Sequence, residues 1–223
     1  MPRHVLSTVV AAATLRSLTD IATVKDDWGI STSADDAFIA RSIIRCSSSA
    51  ENFCNRVFAL ETVQDQIALR RDPWPRMIEE RPDLLQLSRW PIVAITSVTV
   101  DGTTLVEGTD FLTDAKPGQL RRLNEYGNAR DWSGETIVVI YSAGYVLPGA
   151  TAVAGAQNLP DDINDAVSRM VYTRYAERQR DPLVKSEYVD GVGRTEYLAP
   201  TGASNLSPDV EDILDNYRVP VVI

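Results

Sequence analysis

The chain has 223 residues, of which 44% are hydrophobic and 24% charged, and its formal net charge is -9. These fractions are those of an ordinary globular protein and exclude a chain that is disordered throughout. The negative charge excludes a free-standing binder of duplex nucleic acid, which needs a basic surface to displace counterions. No run of about 18 apolar residues is present, so we expect no membrane-spanning helix.

Residues 1–17 include an apolar stretch, VLSTVVAAATL, that follows Arg3 and His4. The stretch invites comparison with a signal peptide, but it contains threonine and serine and lacks a clear small-residue cleavage site. We therefore interpret residues 1–17 as an N-terminal segment of a cytosolic protein.

Two amphipathic helices are predicted next. The first lies in LTDIATVKDDWGI, where Thr19 is the expected N-cap and Gly29 the left-handed stop. The second begins near Ser33, in a variant of the capping box, and ends near Cys54. Its predicted buried stripe consists of Phe38, Ile39, Ile43, Cys46, Ala50 and Phe53. Cys46 and Cys54 would be separated by about 12 Å of helix rise, too far for a disulfide, so we expect two buried free thiols.

From residue 56 to residue 145 the pattern is typical of β-strands. The segment IVAITSVTVDGTTLVEG predicts a hairpin with a tight turn at Asp101 and Gly102. The apolar segment TIVVIYSAGY predicts a strand at the centre of a sheet. Residues 70–84, with three prolines and mixed charge, are interpreted as a surface insertion.

A third helix is predicted with Pro160 as its first residue and with a stripe of Ile163, Ala166, Val167, Met170, Val171 and Arg174. Residues 182–207, rich in glycine and turn formers, then predict an extended arm. A last short helix follows Ser207 and Pro208.

The chain ends on an unusual apolar tail. We predict that this tail binds a neighbouring chain through Tyr217, Arg218, Val219, Pro220, Val221, Val222 and Ile223. The polar stretch before it, Asp190 to Ser207, supplies a reach of up to roughly 60 Å if fully extended. A tail that folds back onto its own core is the alternative.

The sequence predicts no catalytic, cofactor-binding or metal-binding residues. Two of the four adjacent carboxylate pairs lie in first turns of predicted helices, where the helix dipole explains them. The glycine-containing segments GVGRTE and GATAVAG lack the residues of a dinucleotide or phosphate loop. The one histidine, His4, is misplaced for a catalytic triad or a metal site.

Five segments resemble, in the same order, segments of the head–tail connector (adaptor) family of tailed bacteriophages and gene-transfer particles. They are LTDIATVKDDWGI, DDAFIARSIIRCSSSAENFCNRVF, RWPIVAITSVTVDGTTL, WSGETIVVIYSAGY and LPDDINDAVSRMVYTRYAERQ. The resemblance covers residues 18–180, and the chain departs from short family members in residues 70–84 and after residue 181.

The resemblance implies a structural protein of the virion neck that is assembled in the host cytoplasm and is not an enzyme. Such adaptors form rings, commonly of twelve copies, beneath the portal protein, and bind head-closure (stopper) or tail proteins on the other side. DNA passes through the lumen, and the net charge of -9 suggests a lumen that repels it.

These observations together predict an α+β fold: a helical bundle of three main helices, a small antiparallel β-sheet or hairpin region, and an extended C-terminal arm. The predicted domains are an N-terminal segment (1–17), an adaptor core (18–181, with the β region at 56–145) and a C-terminal arm (182–223). Two alternatives remain open, namely a small cytosolic enzyme without a recognisable motif and a monomeric peptide-binding module. An enzyme should contain a concave pocket with ionisable groups of perturbed pKa.

Overall fold

A computed structural model describes residues 4–69, 83–178, 186–189, 193–196 and 206–220. The chain divides into two compact units, each built from three separate stretches. The sheet unit consists of Met1–Leu15, Ala59–Val146 and Thr151–Gln157. The helical unit consists of Arg16–Phe58, Leu147–Ala150 and Asn158–Ile223.

The helical unit contains four helices: α1 (Ile21–Asp27), α2 (Asp36–Cys54), α3 (Asp161–Glu177) and α4 (Pro208–Asp215). The sheet unit contains the strands β1 (His4–Ala11), β2 (Glu61–Ala68), β3 (Leu84–Gln86), β4 (Ile92–Val100), β5 (Thr103–Leu105), β6 (Phe111–Asp114), β7 (Gln119–Arg122) and β8 (Thr136–Ala143). Two further strands, β9 (Ser186–Val189) and β10 (Gly193–Glu196), pair with each other. No helix in the described parts of the chain is long and apolar enough to cross a membrane.

The main sheet of the sheet unit has five antiparallel strands in the order β1-β2-β8-β4-β5. The apolar strand β8 occupies the centre, which confirms the sequence prediction for this segment. Its side chains alternate strictly between buried and half-buried positions, because one face of the sheet covers the core. The strands β3, β7 and β6 form a second, three-stranded antiparallel sheet.

The core of the sheet unit combines side chains from both sheets. The five-stranded sheet contributes Ile67, Val98, Ile137, Val139 and Tyr141, and the three-stranded sheet contributes Leu85, Phe111 and Leu120. The indole of Trp132 is also fully buried in this cluster. Each large apolar side chain buried in this way stabilises the fold by about 1.5–3 kcal/mol relative to exposure.

The hairpin between β4 and β5 turns at Asp101 and Gly102, as the sequence predicts. Both residues have positive φ, 48° and 83°, as the turn requires. Asp101 is suited to this position for a second reason, since its carboxylate accepts hydrogen bonds from the backbone N–H groups of Glu135 and Thr136, both at 2.9 Å or less. The turn therefore also fixes the start of β8.

In the helical unit, α2 packs on both α3 and α4. The small residues Ser42 and Ser47 of α2 are buried as the close spacing of helices requires, and Ser47 Oγ accepts a hydrogen bond from the backbone N–H of Leu18 at 2.9 Å. Cys46 and Cys54 are buried free thiols. The predicted caps of the first two helices are wrong in detail: Asp20, not Thr19, caps α1, and no side chain caps α2.

The predicted helical bundle with a small β region is wrong as a fold class. The described residues hold four helices, and the strands β1 to β8 form two antiparallel sheets with their own large core, apart from the separate pair β9–β10. Two causes explain the error. Strand β1 lies in the stretch interpreted as an N-terminal segment, and β3, β6 and β7 have only three or four residues each, too few to show a clear period.

Two predictions fall mostly outside the described residues. Of the predicted insertion at residues 70–84, the structure describes only residues 83 and 84. Of the predicted extended arm, it describes the antiparallel pair β9–β10, in which Ser186 is opposite Glu196. The division of the chain at residues 17 and 181 stays a prediction.

Candidate interaction surfaces

The beginning of the C-terminal tail lies on the helical unit. The hydroxyl of Tyr217 donates to the carboxylate of Asp162 on α3, at 2.7 Å and 2.9 Å from the two oxygens. The ring of Tyr217 meets that of Phe58 edge-on, with centroids 6.3 Å apart. The backbone N–H of Val219 donates to the carbonyl of Cys54 at 2.9 Å. These contacts attach residues 217–219 to the ends of α2 and α3.

The remaining predicted tail residues differ in what they contact. The guanidinium of Arg218 lies over the ring of Phe53, 5.3 Å from its centroid, and forms an ion pair with Asp215 at 3.6 Å. Pro220 is exposed. Val221, Val222 and Ile223 lie outside the described residues. Binding of the tail to another chain therefore stays a prediction, and its proposed contact surface narrows to Arg218 and the residues from Pro220 onward.

A second candidate surface is the edge strand β1, which pairs with β2 on one side only. Its apolar side chains are exposed: Val5 by 43%, Leu6 by 64%, Val9 by 42% and Val10 by 57%. Edge strands in stable monomers are normally short or protected by lysine or proline. Strand β1 has eight residues and contains neither lysine nor proline.

The face of the five-stranded sheet that is turned away from the core carries no charged side chain between Leu6 and Thr104. Paired residues in neighbouring antiparallel strands share a face, so the register identifies its rows. One row crosses the whole sheet and consists of Leu6, Gln66, Val138, Thr99 and Thr104. The next rows consist of Thr8, Gln64, Ile140 and Ser97, then of Thr62, Ser142 and Ala94.

We call these three rows the uncharged face. Every one of its residues is exposed or half-exposed. Such a surface is unusual on a chain in which 24% of residues are charged. Depletion of charge is a feature of the central part of protein–protein interfaces.

On the other face of the sheet, a polar network around the buried carboxylate of Asp65 reaches β1 through two exposed serines. The carboxylate of Asp65 accepts hydrogen bonds from the backbone N–H of Ser88 at 2.8 Å, from its hydroxyl at 2.7 Å and from Tyr141 at 2.8 Å. The hydroxyls of Ser7 on β1 and Ser88 are 3.0 Å apart and share a hydrogen bond. Burial, with the charge of Asp65, raises the pKa of Tyr141 far above its usual value, so the phenol stays protonated as a donor.

A second buried carboxylate, Glu61, supports the residues that follow β1. It forms an ion pair with Arg89 and accepts a hydrogen bond from the backbone N–H of Ala13 at 3.2 Å. Both carboxylates thus have structural partners that account for their burial, as buried charges require. Strand β1 is fixed on its inner side while its outer side has no strand beside it in the described chain.

An open depression on the helical unit lies beside α1 and has a volume of about 910 Å³. Its lining includes Lys25 and Asp26, and otherwise Ile21, Ala22, Thr23, Gly29, Ile30 and Ser31. Lys25 is paired with Asp36 at 2.9 Å. The lining contains neither histidine nor cysteine.

The sequence analysis identified the tail but missed strand β1 and the uncharged face. A signal for β1 was present, since residues 4–11 are rich in β-branched residues. The uncharged face could not be derived in the same way, because its rows combine five strands whose register depends on the folded sheet.

Comparison with protein-family models gives no match, and comparison with curated proteins gives none either. Solved structures do match. A chain of the structure described as the neck of an empty GTA particle, computed with C6 symmetry, has a TM-score of 0.54 and 15% identity, and the match covers 98% of this chain and 97% of that one. A chain of the virion of a native gene transfer agent (GTA) particle has a TM-score of 0.51 and 16% identity, with the same coverage. At these identities the matches show a shared fold.

Proposed function

We propose that this chain is a structural head–tail adaptor in the neck of a tailed phage or gene-transfer particle. The observation that carries the proposal is the fold match to the GTA neck chain, which extends over 98% of this chain and 97% of that one. A match over nearly the full length of both chains supports a shared role better than a shared supersecondary motif would. The order of five sequence segments supports the same role independently.

The proposal includes a ring of identical copies, for which twelve is the number suggested by family resemblance. The sixfold symmetry used for the GTA neck supports a ring, since a neck chain repeated by rotation forms a closed assembly. In the proposed assembly the ring lies beneath the portal protein and carries head-closure or tail proteins on its opposite side. DNA passes through the lumen without specific binding, which the net charge of -9 favours.

The role needs protein contacts and no catalysis, and the two surfaces described above offer such contacts. Arg218 and the tail beyond it are the proposed contact with the portal or a neighbouring chain. The edge strand β1 and the uncharged face supply a further surface on the sheet unit. The protein would accordingly be located in the virion, at the interface between head and tail.

Electron microscopy of the protein mixed with the portal protein of the same particle tests the proposal. A ring stacked coaxially on the portal is the expected image. A protein that never associates with the portal or with filled heads would contradict the adaptor role. A strongly basic channel surface in the assembled ring would contradict the proposed passage of DNA through a repelling lumen, and that alone.

A further inference from the structure

The five-stranded sheet has two free edges of different structure. At one end, β1 has no strand on its outer side among the described residues. At the other end, β5 covers only Val98–Val100 of β4, so the outer side of residues 93–97 is free in the described chain. Unpaired strand edges present backbone N–H and C=O groups that another strand can bind.

We propose that the free edge of β1 in one copy of this chain binds the β4–β5 edge of a second copy, so that neighbouring copies share a continuous sheet. The inference deepens the ring contained in the proposed function and rests on it for the closed geometry. Because the two edges differ, the contact is head-to-tail, and each bound copy keeps one free edge for the next.

The charge distribution identifies a second copy as the partner. Two copies that each carry a net charge of -9 repel one another least when they meet at surfaces without charge, because close like-charge pairs are then avoided. From Val5 to Ala11, β1 has no charged residue, and residues 93–97 on β4 have none either. A basic partner would instead be attracted to the acidic parts of the surface, and would gain no charge attraction at these two strand edges.

Exposed apolar side chains of β1 on the core side of the sheet support this arrangement. Val5 and Val9 lie opposite Ile67 and Val63, so they stand on the core side, yet each remains more than two-fifths exposed. Ile95 of β4 is on the core side as well, opposite Tyr141. A shared sheet would place Val5 and Val9 of one copy beside Ile95 of the next, and would cover apolar area that one copy leaves in water.

Three single variants, each adding one negative charge at an exposed position, test the contact. Leu6→Glu changes the β1 edge, Thr96→Glu changes the β4 edge, and Val153→Glu is the control in a loop outside both strands. Circular dichroism and the thermal midpoint establish that each variant is folded. Thr8→Glu, also on β1, replaces Leu6→Glu if that variant does not fold.

Native mass spectrometry and light scattering then measure assembly over a range of concentrations. We expect oligomers from the wild-type protein and from Val153→Glu, and monomers from Leu6→Glu and from Thr96→Glu. A mixture of the last two should form dimers of one copy each and nothing larger, because each variant retains the edge that the other lacks.

Several results would overturn the inference. One is a wild-type chain that stays monomeric at every concentration; another is normal assembly of both edge variants. Normal assembly of Thr96→Glu alone would indicate a symmetric β1–β1 contact instead, and a mixture that gives no dimers would contradict the pairing of the two edges. Rings that form through other surfaces would contradict the edge contact but not the adaptor role. Oligomers that depend on the two edges but do not bind the portal would contradict the adaptor role but not the edge contact.

Discussion

The hydroxyl of Tyr141 donates a hydrogen bond to Oδ2 of Asp65 at 2.8 Å, and both side chains are fully buried. Tyr141 comes from the central strand β8 and Asp65 from its neighbour β2. The same hydroxyl accepts a hydrogen bond from the backbone N–H of Arg89 at 3.1 Å. One phenol therefore connects the centre of the five-stranded sheet to the loop before β4.

Replacement of Tyr141 by phenylalanine should lower the free energy of unfolding by about 1–3 kcal/mol at neutral pH, because the buried carboxylate of Asp65 loses a donor. Chemical denaturation measures the change. The control is Thr62→Val, which removes a half-exposed hydroxyl on the opposite face of the sheet and should lower the free energy of unfolding by less. Equal losses from the two variants would contradict a special role for the Tyr141–Asp65 bond.

The same variant predicts a pH effect. The pKa of Tyr141 in the folded protein lies well above the usual value of a tyrosine, because burial and then the charge of Asp65 disfavour the phenolate. The protonated Tyr141 therefore contributes its full stabilisation at a pH below the pKa that tyrosine has in the unfolded chain. This contribution is lost as the pH rises from there through the folded pKa. The difference in unfolding free energy between wild type and Tyr141→Phe should shrink in alkaline buffer. A constant difference would contradict the assignment.

Gly144, in the loop that follows β8, lies where a larger residue would clash with the backbone. Its φ is 122°, and a Cβ built on it would lie 2.4 Å from the carbonyl oxygen of Ala59. Gly144→Ala should therefore destabilise the protein by about 2–4 kcal/mol. Gly155→Ala is the matched control, since Gly155 also has positive φ but nothing within 4 Å. The control should cost about 1 kcal/mol, the penalty of backbone conformation alone.

Replacement of Arg178 should shift the titration of the Asp35 carboxyl group measurably. The hydrogen bond from Arg178 lowers the pKa of Asp35 below the usual value of an aspartate, and a hydrogen bond from Tyr175 acts in the same direction. In Arg178→Gln the pKa of Asp35 should rise, as measured by NMR titration of its carboxyl carbon. Arg169→Gln, which removes a partner of Asp165, should leave the Asp35 titration unchanged.

The lowered pKa also fixes the sign of the stability change. Stability from the Asp35–Arg178 pair is present above the unfolded pKa of the carboxyl and is lost as the pH falls through its folded pKa. The stability difference between wild type and Arg178→Gln should therefore disappear in strong acid. A difference that persisted there would point to packing of Arg178 over Phe38 and Tyr175 as the cause.

The two cysteines should resist thiol reagents in the native protein. Burial raises the pKa of both Cys46 and Cys54 to about 11, and the thiolate is the reactive form. Alkylation followed by mass spectrometry should show slow labelling at neutral pH and rapid labelling after unfolding in denaturant. Rapid labelling of one cysteine in the native protein would show that its part of α2 opens readily.

Two truncations separate the stability of the tail from its proposed binding. A chain that ends at Pro220 keeps the contacts of Tyr217 and Val219, so its unfolding free energy should equal that of the wild type, while attachment to filled heads should be lost. A chain that ends at Asn216 loses those contacts and should be less stable by about 1–3 kcal/mol. Normal attachment of the chain that ends at Pro220 would contradict binding by Val221, Val222 and Ile223, which this truncation removes.

The sequence predicted the elements whose signals are local. The hairpin at Asp101 and Gly102, the central strand β8 and the helix after Pro160 each depend on residues within one element, and all three are present. Pro160 itself lies just before α3 as its N-cap residue, one position earlier than predicted. Helix ends depend on single hydrogen bonds, which explains errors of this size.

Features that depend on distant residues were not predictable in this way. Strand β1 pairs with a strand that begins at Glu61, so nothing beside it in the sequence indicates a partner. The tail was correctly noticed as apolar, but the hydrogen bond of Tyr217 to Asp162 joins residues that are far apart in the chain. The network around Asp65 likewise unites three separated segments, and its members look like ordinary surface residues in the sequence.

The interleaving of the two units has a genetic consequence. Each unit takes its residues from three stretches, and the chain alternates between them. A break anywhere from residue 17 to residue 156 therefore leaves parts of both units on either side of it. Neither unit can be acquired, lost or exchanged by a single recombination event within that region, so the sheet and the helices must be inherited as one block.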